Sequence, residues 1–371
     1  MANVFGQIFR IMTFGESHGP GVGVTIEGIP GNLEINLATV QAWLDRRRPG
    51  QSDLTSPRDE ADQVTCLGGL ENGRTLGGPL ALFVKNRDTK PEDYRDINQV
   101  YRPGHADFTM QAKYGISAKS GGGRASARET IGRVAAGAVA WQLVKKIYPN
   151  FELLAWVHTV KDIHMPQDPN LKTTDALVTK DMIDKTPVRC PDLAVANKMT
   201  ELIQAAKKNG DSVGGIIRCV IRGLPAGLGE PVFDKLEADL GKAILSLPAC
   251  KGFEVGSGFS GTKLFGSEHN DQLIKKDSKI TTMTNHSGGI QGGISNGEII
   301  CFNAAFKPVS TINRSQQTVD RSGSEITFKP TGGRHDPCVL PRAVPMIEAM
   351  AALVIADHVL RRRATGPLME S

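Results

Sequence analysis

Aromatic residues and long runs of like charge are scarce in this chain of 371 residues. Phe, Trp and Tyr make up 5% of it, and the formal net charge is +5. Nucleic-acid-binding proteins usually present basic stripes and stacking aromatics, whereas the basic residues here form short clusters beside Gly and Pro. We therefore expect a small anionic ligand and no nucleic-acid partner.

The residue spacings of metal and redox sites are also missing. The six cysteines are scattered, and the eight histidines show no His-Glu-x-x-His or His-x-His spacing, so we expect no metal centre. Ser17 is outside any Gly-x-Ser-x-Gly elbow, which disfavours a serine nucleophile. Scattered cysteines are typical of the reducing cytoplasm. We see no stretch approaching the roughly 20 apolar residues of a membrane span, and we expect neither secretion nor membrane insertion.

A strand, a Gly-x-Pro exit and a helix follow one another twice along the chain. Alternating apolar residues predict a strand over 22–29, and Asn36 can cap the helix that follows. The same order recurs as a strand over 216–221, then Gly223-Leu224-Pro225, then a helix over about 233–247. The recurrence favours an internal duplication about a pseudo-twofold axis, although two similar β-α units also arise by chance.

Two longer helices are predicted over 127–146 and 340–363, each with apolar residues at helical spacing and buried on one side. No linker rich in Pro and Ser divides the chain. We therefore predict one α+β domain over residues 1–371, a β-α-β sandwich-like fold with helices layered between sheets and an internal pseudo-twofold repeat.

Two histidines lie in glycine-containing loops. His18 stands in Gly-Glu-Ser-His-Gly after a predicted strand over 8–14, and His105 stands in Arg-Pro-Gly-His-Ala-Asp. An imidazole with an unperturbed pKa of about 6.5 can exchange protons near neutral pH, and Asp107 could orient His105. The alternative is that each is a turn histidine facing solvent.

Arginines cluster at two predicted helix ends. Arg46-Arg47-Arg48 could stabilise the helix dipole or clamp phosphate, and taken alone the first interpretation is favoured. Residues 120–129 run from three glycines into the Ala-rich helix, so their N–H groups with Arg124 and Arg128 predict an anion site. A flexible hinge is the alternative. The segment is neither a Walker loop nor a dinucleotide turn.

Three further segments favour ligand binding. The glycine-rich loop 285–295 and residues 307–311 are suited to a planar or phosphorylated ligand. Arg334 and Asp336 form a charged pair on the turn before the last helix, where a surface salt bridge is the alternative.

Taken together, "FGESHG", "RRRPG", "RPGHAD", "SGGGRASARETIGRVAAG", "NHSGGIQGGIS" and "GRHDPC" closely resemble the chorismate synthase family, in the same order. The resemblance spans about residues 6–361 and is least characteristic over 151–200. It implies a 1,4-trans elimination of phosphate from 5-enolpyruvylshikimate 3-phosphate to give chorismate. It also implies reduced FMN as a cofactor without net oxidation, and a homotetramer.

The resemblance also implies residue roles. His18 would protonate or hydrogen-bond the leaving phosphate, His105 would interact with the flavin, and Asp336 would take part in proton removal near flavin N5. The residues implied to bind FMN are Arg124, Ala125, Ser126, Gly292, Lys307, Pro308, Val309, Ser310, Thr311 and Arg334. Those implied to bind the substrate or nucleotide phosphate are Ser17, Arg47, Arg48 and Arg128. The chain departs from the family at Ala125, where many relatives have Ser, and at Asp53, where many have Arg.

Two other functions are compatible with the loops. A flavin-dependent oxidoreductase with net redox could use the same glycine and arginine segments, and a non-catalytic protein could bind a phosphorylated ligand or RNA. The source of reducing equivalents stays open between NADPH and reductant supplied by other proteins, because no dinucleotide fingerprint is evident.

Overall fold

The computed structural model describes residues 3–51, 54, 61–87, 99–118, 122–166, 172–330 and 336–367. The strands of this part of the chain are β1 Val4–Phe5, β2 Arg10–Gly15, β3 Gly21–Glu27, β4 Val64–Gly68, β5 Leu70–Glu71, β6 Arg74–Thr75, β7 Leu80–Lys85, β8 Glu152–Val160, β9 Ile163–His164, β10 Gly215–Arg222, β11 Ala226–Gly229, β12 Cys250–Val255, β13 Leu273–Lys276, β14 Lys279–Thr282, β15 Ile290–Gln291, β16 Ile294–Asn296, β17 Ile300–Phe306, β18 Gln316–Val319 and β19 Glu325–Phe328. Its helices are α1 Leu37–Arg47, α2 Asp107–Tyr114, α3 Thr130–Ile147, α4 Thr173–Leu177, α5 Lys180–Asp184, α6 Leu193–Lys208, α7 Leu236–Leu245, α8 Gly258–Gly261, α9 Gly266–His269 and α10 Leu340–Thr365.

Two five-stranded antiparallel sheets form the outer layers. The first has the order β1-β2-β3-β7-β4, and the second has the order β12-β17-β10-β8-β9. In the first sheet, Val22, Val24 and Ile26 of the central strand β3 are fully buried, as their alternation predicted. Side chains from both sheets and from the helices between them belong to one cluster of buried apolar residues.

The two halves of the chain repeat one topology. The first half runs β2, β3, α1, β4, β7 and α3, and the second runs β8, β10, α7, β12, β17 and α10. In both sheets the second strand of the unit pairs with the first and the fourth, and the fourth pairs with the third. Gly28 and Gly223 end the equivalent strands with φ of 76° and 74°. A Cβ would lie 1.8 Å from a backbone oxygen at Gly28 and 2.1 Å from one at Gly223, so the end of each strand requires glycine. The predicted duplication is confirmed.

The long helices α3 and α10 pack on each other between the sheets. Helix α3 contacts β2, β3 and β7, while α10 contacts β8 and β10. The expectation that each is buried on one side only is wrong, because the partner helix covers the face that the sheet leaves open. Close approach is possible at Gly137, where a Cβ would lie 2.5 Å from Cα of Ala349. The predicted α+β fold with helices between sheets is confirmed.

Helix α10 corrects one expectation about long apolar stretches. By length and composition it could cross a membrane, contrary to our reading that no stretch comes close. Its apolar window is, however, entirely buried inside the fold. Such burial is typical of a core helix in a globular protein.

Helix boundaries near the predicted loops differ from expectation. The chain does not run directly from the glycine segment into the Ala-rich helix: two short 3₁₀ turns, Gly123–Ala125 and Ala127–Glu129, precede α3. Ser126 caps the second turn by accepting from the N–H of Arg128 at 3.3 Å. Asn36 caps α1 as predicted, accepting from the N–H groups of Ala38 and Thr39.

Candidate active site

A cavity of about 500 Å³ lies where loops of the two halves meet. Loops from both halves and the ends of α1 and α10 contribute to its wall. The side chains and backbone that line it belong to Arg47, Pro49, Arg102, Gly104, His105, Ala106, Arg124, Ala125, Ser126, Ala127, Arg128, Glu129, Arg133, Ser246, Pro248, Ala249, Lys307, Val309, Ser310, Thr311, Asp336, Val339 and Arg342.

The loop before α2 holds His105 by its side chains. Nδ1 of His105 lies 2.7 Å from Oδ1 of Asp107, which confirms the predicted contact. Arg102 donates from Nε and Nη2 to the two oxygens of the same carboxylate, at 2.7 and 2.8 Å. Burial alone would raise the pKa of Asp107, but the hydrogen bonds from Arg102 and His105 outweigh it and hold this pKa well below its usual range. The carboxylate therefore stays charged and fixes the imidazole.

Residues 307–311 of the second half reach across to this loop of the first half. The hydroxyl of Ser310 donates to the carbonyl of Gly104 at 2.6 Å, and Nζ of Lys307 donates to the same carbonyl at 3.2 Å and to the Ser310 hydroxyl. Thr311 accepts from Nη1 of Arg102 at 3.4 Å. Burial, with a smaller contribution from a neighbouring lysine, lowers the pKa of Lys307. The two halves thus form one wall of the cavity together.

Of the three arginines that end α1, Arg47 reaches the cavity. Its side chain is 1% exposed and donates to Asp62 at 3.0 Å, to Thr130 and to the carbonyl of Ala127. Burial lowers the pKa of Arg47, the neighbouring arginines lower it further, and Asp62 opposes them. The favoured interpretation of the cluster as a helix cap therefore does not describe this residue.

Asp62 joins two guanidinium groups of the wall. Its second oxygen accepts from Nη1 of Arg128 at 3.0 Å, and its side chain is fully buried between Arg47 and Arg128. Arg46, the neighbour of Arg47, turns away and pairs with Glu348 and Asp184. One buried carboxylate therefore fixes the spacing of two cations that come from different elements.

Arg124 and Arg133 share a second buried carboxylate. Glu129 accepts from Nε of Arg133 at 2.9 Å and lies 3.5 Å from Nη2 of Arg124. Arg124 also donates to the carbonyl of Gly15 at 3.1 Å and to the hydroxyl of Thr13 at 2.6 Å, which ties the cavity wall to β2.

Asp336 pairs with an arginine that the sequence did not suggest. Its Oδ2 lies 2.6 Å from Nη1 of Arg342 in the first turn of α10. Nε of Arg342 donates in turn to the backbone carbonyl of Arg47 at 3.4 Å. The predicted partner, Arg334, lies outside the described residues, as does Asp53.

Several predicted residues lie off the cavity wall. Ser17 and His18 form a turn between β2 and β3, in which the Ser17 hydroxyl lies 2.9 Å from Nδ1 of His18. Gly292 lies in the turn between β15 and β16. Arg48 directly follows α1, and neither it nor Pro308 is among the described residues that line the cavity. The other predicted site residues within the described ranges all lie on the wall: Arg47, His105, Arg124, Ala125, Ser126, Arg128, Lys307, Val309, Ser310, Thr311 and Asp336.

Four further side chains at or near the cavity belong to no predicted site. Arg133 and Arg342 stand within helices rather than in glycine-rich loops, and Asp62 and Asn86 stand in no motif. A charged residue inside a nearly continuous apolar helix is a usable signal for Arg342, because a buried charge requires a partner.

Positive charge exceeds negative charge in this cavity. Among the described residues, seven cationic side chains line it: Arg47, Arg102, Arg124, Arg128, Arg133, Lys307 and Arg342. Within the described part of the chain four carboxylates pair with them, those of Asp62, Asp107, Glu129 and Asp336, so the described cations outnumber the described carboxylates by three. A cavity of this charge is suited to a small molecule with several negative groups.

A cationic cavity that holds a histidine-carboxylate pair, lined by loops of two related α+β halves, is typical of enzymes that act on small polyanions. The chorismate synthase family model matches residues 9–360. The curated relative named chorismate synthase from Cyanothece sp. (strain PCC 7425 / ATCC 29141) is 56% identical to this chain over 369 residues, with all of both chains covered. The relative of the same name from Prochlorococcus marinus (strain NATL1A) is 58% identical over 364 residues, which cover 98% of this chain and 99% of the relative.

A solved structure described as a crystal structure of chorismate synthase superposes with a TM-score of 0.77 at 27% identity, over 96% of this chain and 93% of the other. The chain belongs to the chorismate synthase family and is an enzyme of the shikimate pathway.

Proposed function

We propose that this enzyme eliminates phosphate from 5-enolpyruvylshikimate 3-phosphate to form chorismate, with reduced FMN bound and no net redox change. In this reaction a C–O bond to phosphate breaks, a proton leaves carbon, and a new C=C bond forms, so that electrons balance within the substrate. The main support for the proposal is the excess of cations over carboxylates among the described residues of the cavity, because the substrate bears a phosphate and two carboxylates.

Arg47 and Arg128 are the proposed phosphate contacts on the cavity wall, with Ser17 and Arg48 beside it. The shared carboxylate of Asp62 holds the first two guanidiniums in place before the ligand arrives. Preorganised guanidiniums need little reorganisation on binding and stabilise charge that develops on the leaving phosphate.

The residues of the wall are suited to a flavin phosphate and ring. Ser126, Ser310 and Thr311 offer hydroxyls, Lys307 offers a cation, and Ala125 lies on the same wall. Arg124, Pro308, Val309, Gly292 and Arg334 complete the proposed FMN contacts, all of which come from the resemblance. Of these five, Arg124 and Val309 lie on the wall. Reduced FMN, when bound, supplies electron density during C–O cleavage and remains reduced after turnover.

Three side chains are proposed to handle protons. Asp107 engages Nδ1 of His105, so that Nε2 is the ring nitrogen available to a ligand. The Ser17 hydroxyl lies 2.9 Å from Nδ1 of His18, and His18 is the proposed donor to the leaving phosphate. Asp336, oriented by Arg342, is the proposed participant in proton removal.

We further propose that residues 1–371 form a single catalytic domain, that the protein is cytoplasmic, and that it assembles as a homotetramer. The single buried cluster shared by both sheets supports the first of these proposals. Sedimentation equilibrium of the purified protein checks the third.

Anaerobic incubation with substrate and catalytic reduced FMN tests the function, with chorismate and phosphate followed together. We expect the two products in equal amounts and no reductant consumed per turnover. Reductant consumed in proportion to product would establish the oxidoreductase instead. If the protein shows no turnover but binds RNA with an affinity that falls steeply with salt, it is a non-catalytic RNA-binding protein. Adding NADPH with oxidised FMN shows whether the chain reduces its own flavin.

The residue roles are tested in the same assay. We expect His18→Ala and Asp336→Ala each to lower kcat by about 10² to 10⁴, the usual size of a general acid-base contribution. The exposed His164→Ala is the matched control and should retain full activity. Wild-type turnover of either site variant with excess reduced FMN would contradict its role.

A further inference from the structure

Asn86, which directly follows β7, makes contacts that no assigned role explains. The residue is 9% exposed, and its side chain lies between the loop that carries His18 and the guanidinium of Arg128. Arg128 lines the cavity, whereas His18 does not. Asn86 is therefore placed to connect the proposed proton donor with the proposed phosphate site.

Three hydrogen bonds join Asn86 to the His18 loop. Nδ2 donates to the carbonyls of Glu16 and Gly19, both at 2.8 Å, and the backbone N–H donates to the carbonyl of Pro20 at 3.1 Å. These three carbonyls bracket Ser17 and His18 on both sides. The loop also closes on itself, since the N–H of Gly19 donates to Glu16 at 3.3 Å.

The other end of the amide contacts the cavity wall. Oδ1 of Asn86 accepts from Nε of Arg128, while Nη1 of Arg128 donates to Asp62. The amide orientation is determined by its neighbours: the two carbonyls can only accept and the guanidinium can only donate. Asn is the uncharged side chain of this length that offers two donors and an acceptor. An Asp in its place offers acceptors alone.

We propose that Asn86 is a positioning residue that holds the His18 loop in register with Arg128, so that donor and phosphate site act as one unit. This inference rests on the proposed role of His18. Asn86 touches neither substrate nor flavin in the proposal, and it acts through the geometry of its two neighbours. An error of about 1 Å in the placement of a reacting group can cost about 10²-fold in rate.

The first test is Asn86→Asp, which keeps the size of the side chain and its acceptor for Arg128. It replaces the two donated hydrogen bonds with a carboxylate oxygen facing two carbonyls. We expect kcat to fall about 10- to 100-fold, with a smaller change in KM because Arg128 keeps its partner. We also expect the limb of the pH-rate profile that depends on His18 to move. Asn86→Ala removes the side-chain hydrogen bonds both to the His18 loop and to Arg128, so it should lower kcat and raise KM.

Asn303→Asp is the matched control. Asn303 of β17 likewise accepts from an arginine, Arg218 at 3.1 Å, and donates to an acceptor, Glu254 at 2.9 Å, but it is not among the described residues that line the cavity. We expect it to lower the melting temperature while leaving kcat and the pH profile unchanged. If Asn86→Asp behaves like this control, Asn86 is merely structural and the proposal is wrong.

A double-mutant cycle separates this inference from the proposed function. If Asn86 acts through His18, Asn86→Asp should have little further effect on kcat in a His18→Ala background. Independent, additive effects would overturn the positioning role and leave the function intact. A His18→Ala variant with wild-type activity would instead overturn the proposed role of His18 and, with it, this inference, while the elimination reaction itself would stand.

Discussion

Replacing Asp62 by Asn should destabilise the protein more than any surface charge change. The carboxylate is fully buried and accepts from Arg47 and Arg128, both at 3.0 Å. Without it, two buried guanidiniums repel each other, and Arg47 loses the one carboxylate that opposes the lowering of its pKa by burial and neighbouring arginines. Removing one partner of a buried ion pair costs about 3–5 kcal/mol.

The expected shift in melting temperature follows from chain length. At about 2.1 cal/mol/K per residue, the unfolding entropy of 371 residues is about 0.8 kcal/mol/K, so the loss corresponds to about 4–6 °C. Differential scanning calorimetry at pH 7 measures it.

Glu27→Gln is the matched control for this prediction. Its carboxylate lies 3.9 Å from Nε of Arg10, with both side chains 54% exposed, and exposed pairs contribute about 0–1 kcal/mol. A melting temperature for Asp62→Asn within 1 °C of this control would refute the reasoning, because the two guanidiniums would then tolerate each other without the carboxylate.

Two further substitutions test the cavity and the helix pair. Since the pKa of Asp107 is lowered in the fold, its contribution to stability is present above the unfolded pKa of about 3.9 and is lost as pH falls toward the folded value. Asp107→Asn should therefore flatten the dependence of denaturation midpoint on pH between about 5 and 2, and an unchanged dependence would contradict the hydrogen-bonded carboxylate. Gly137→Ala should cost about 1–3 kcal/mol in urea denaturation, because the new Cβ would lie 2.5 Å from Ala349. Gly266→Ala, which has open space around it, is the control, and equal midpoints for the two variants would show that α3 and α10 can separate freely.

Much of the fold was predictable from local patterns. The central strands, the cap at Asn36 and the two buried helices follow from periodicity and from side-chain hydrogen bonding within a few residues. The duplication was visible because the same Gly-x-Pro exit recurs, and Gly28 and Gly223 adopt the same left-handed conformation. The all-round burial of α3 and α10 was not, since apolar spacing on one face does not reveal a second layer on the other.

Local residue patterns identify the segments that can carry chemistry, because glycine loops, paired histidines and clustered arginines are recognised without knowledge of distant contacts. Only the tertiary structure decided that Arg47 rather than Arg46 enters the cavity, and that Arg342 pairs with Asp336. It also placed Asp62 and Asn86 between elements far apart in the chain. The physical reason is that the cost of burying a charge or an amide is met by partners from other elements, and sequence spacing does not reveal those partners.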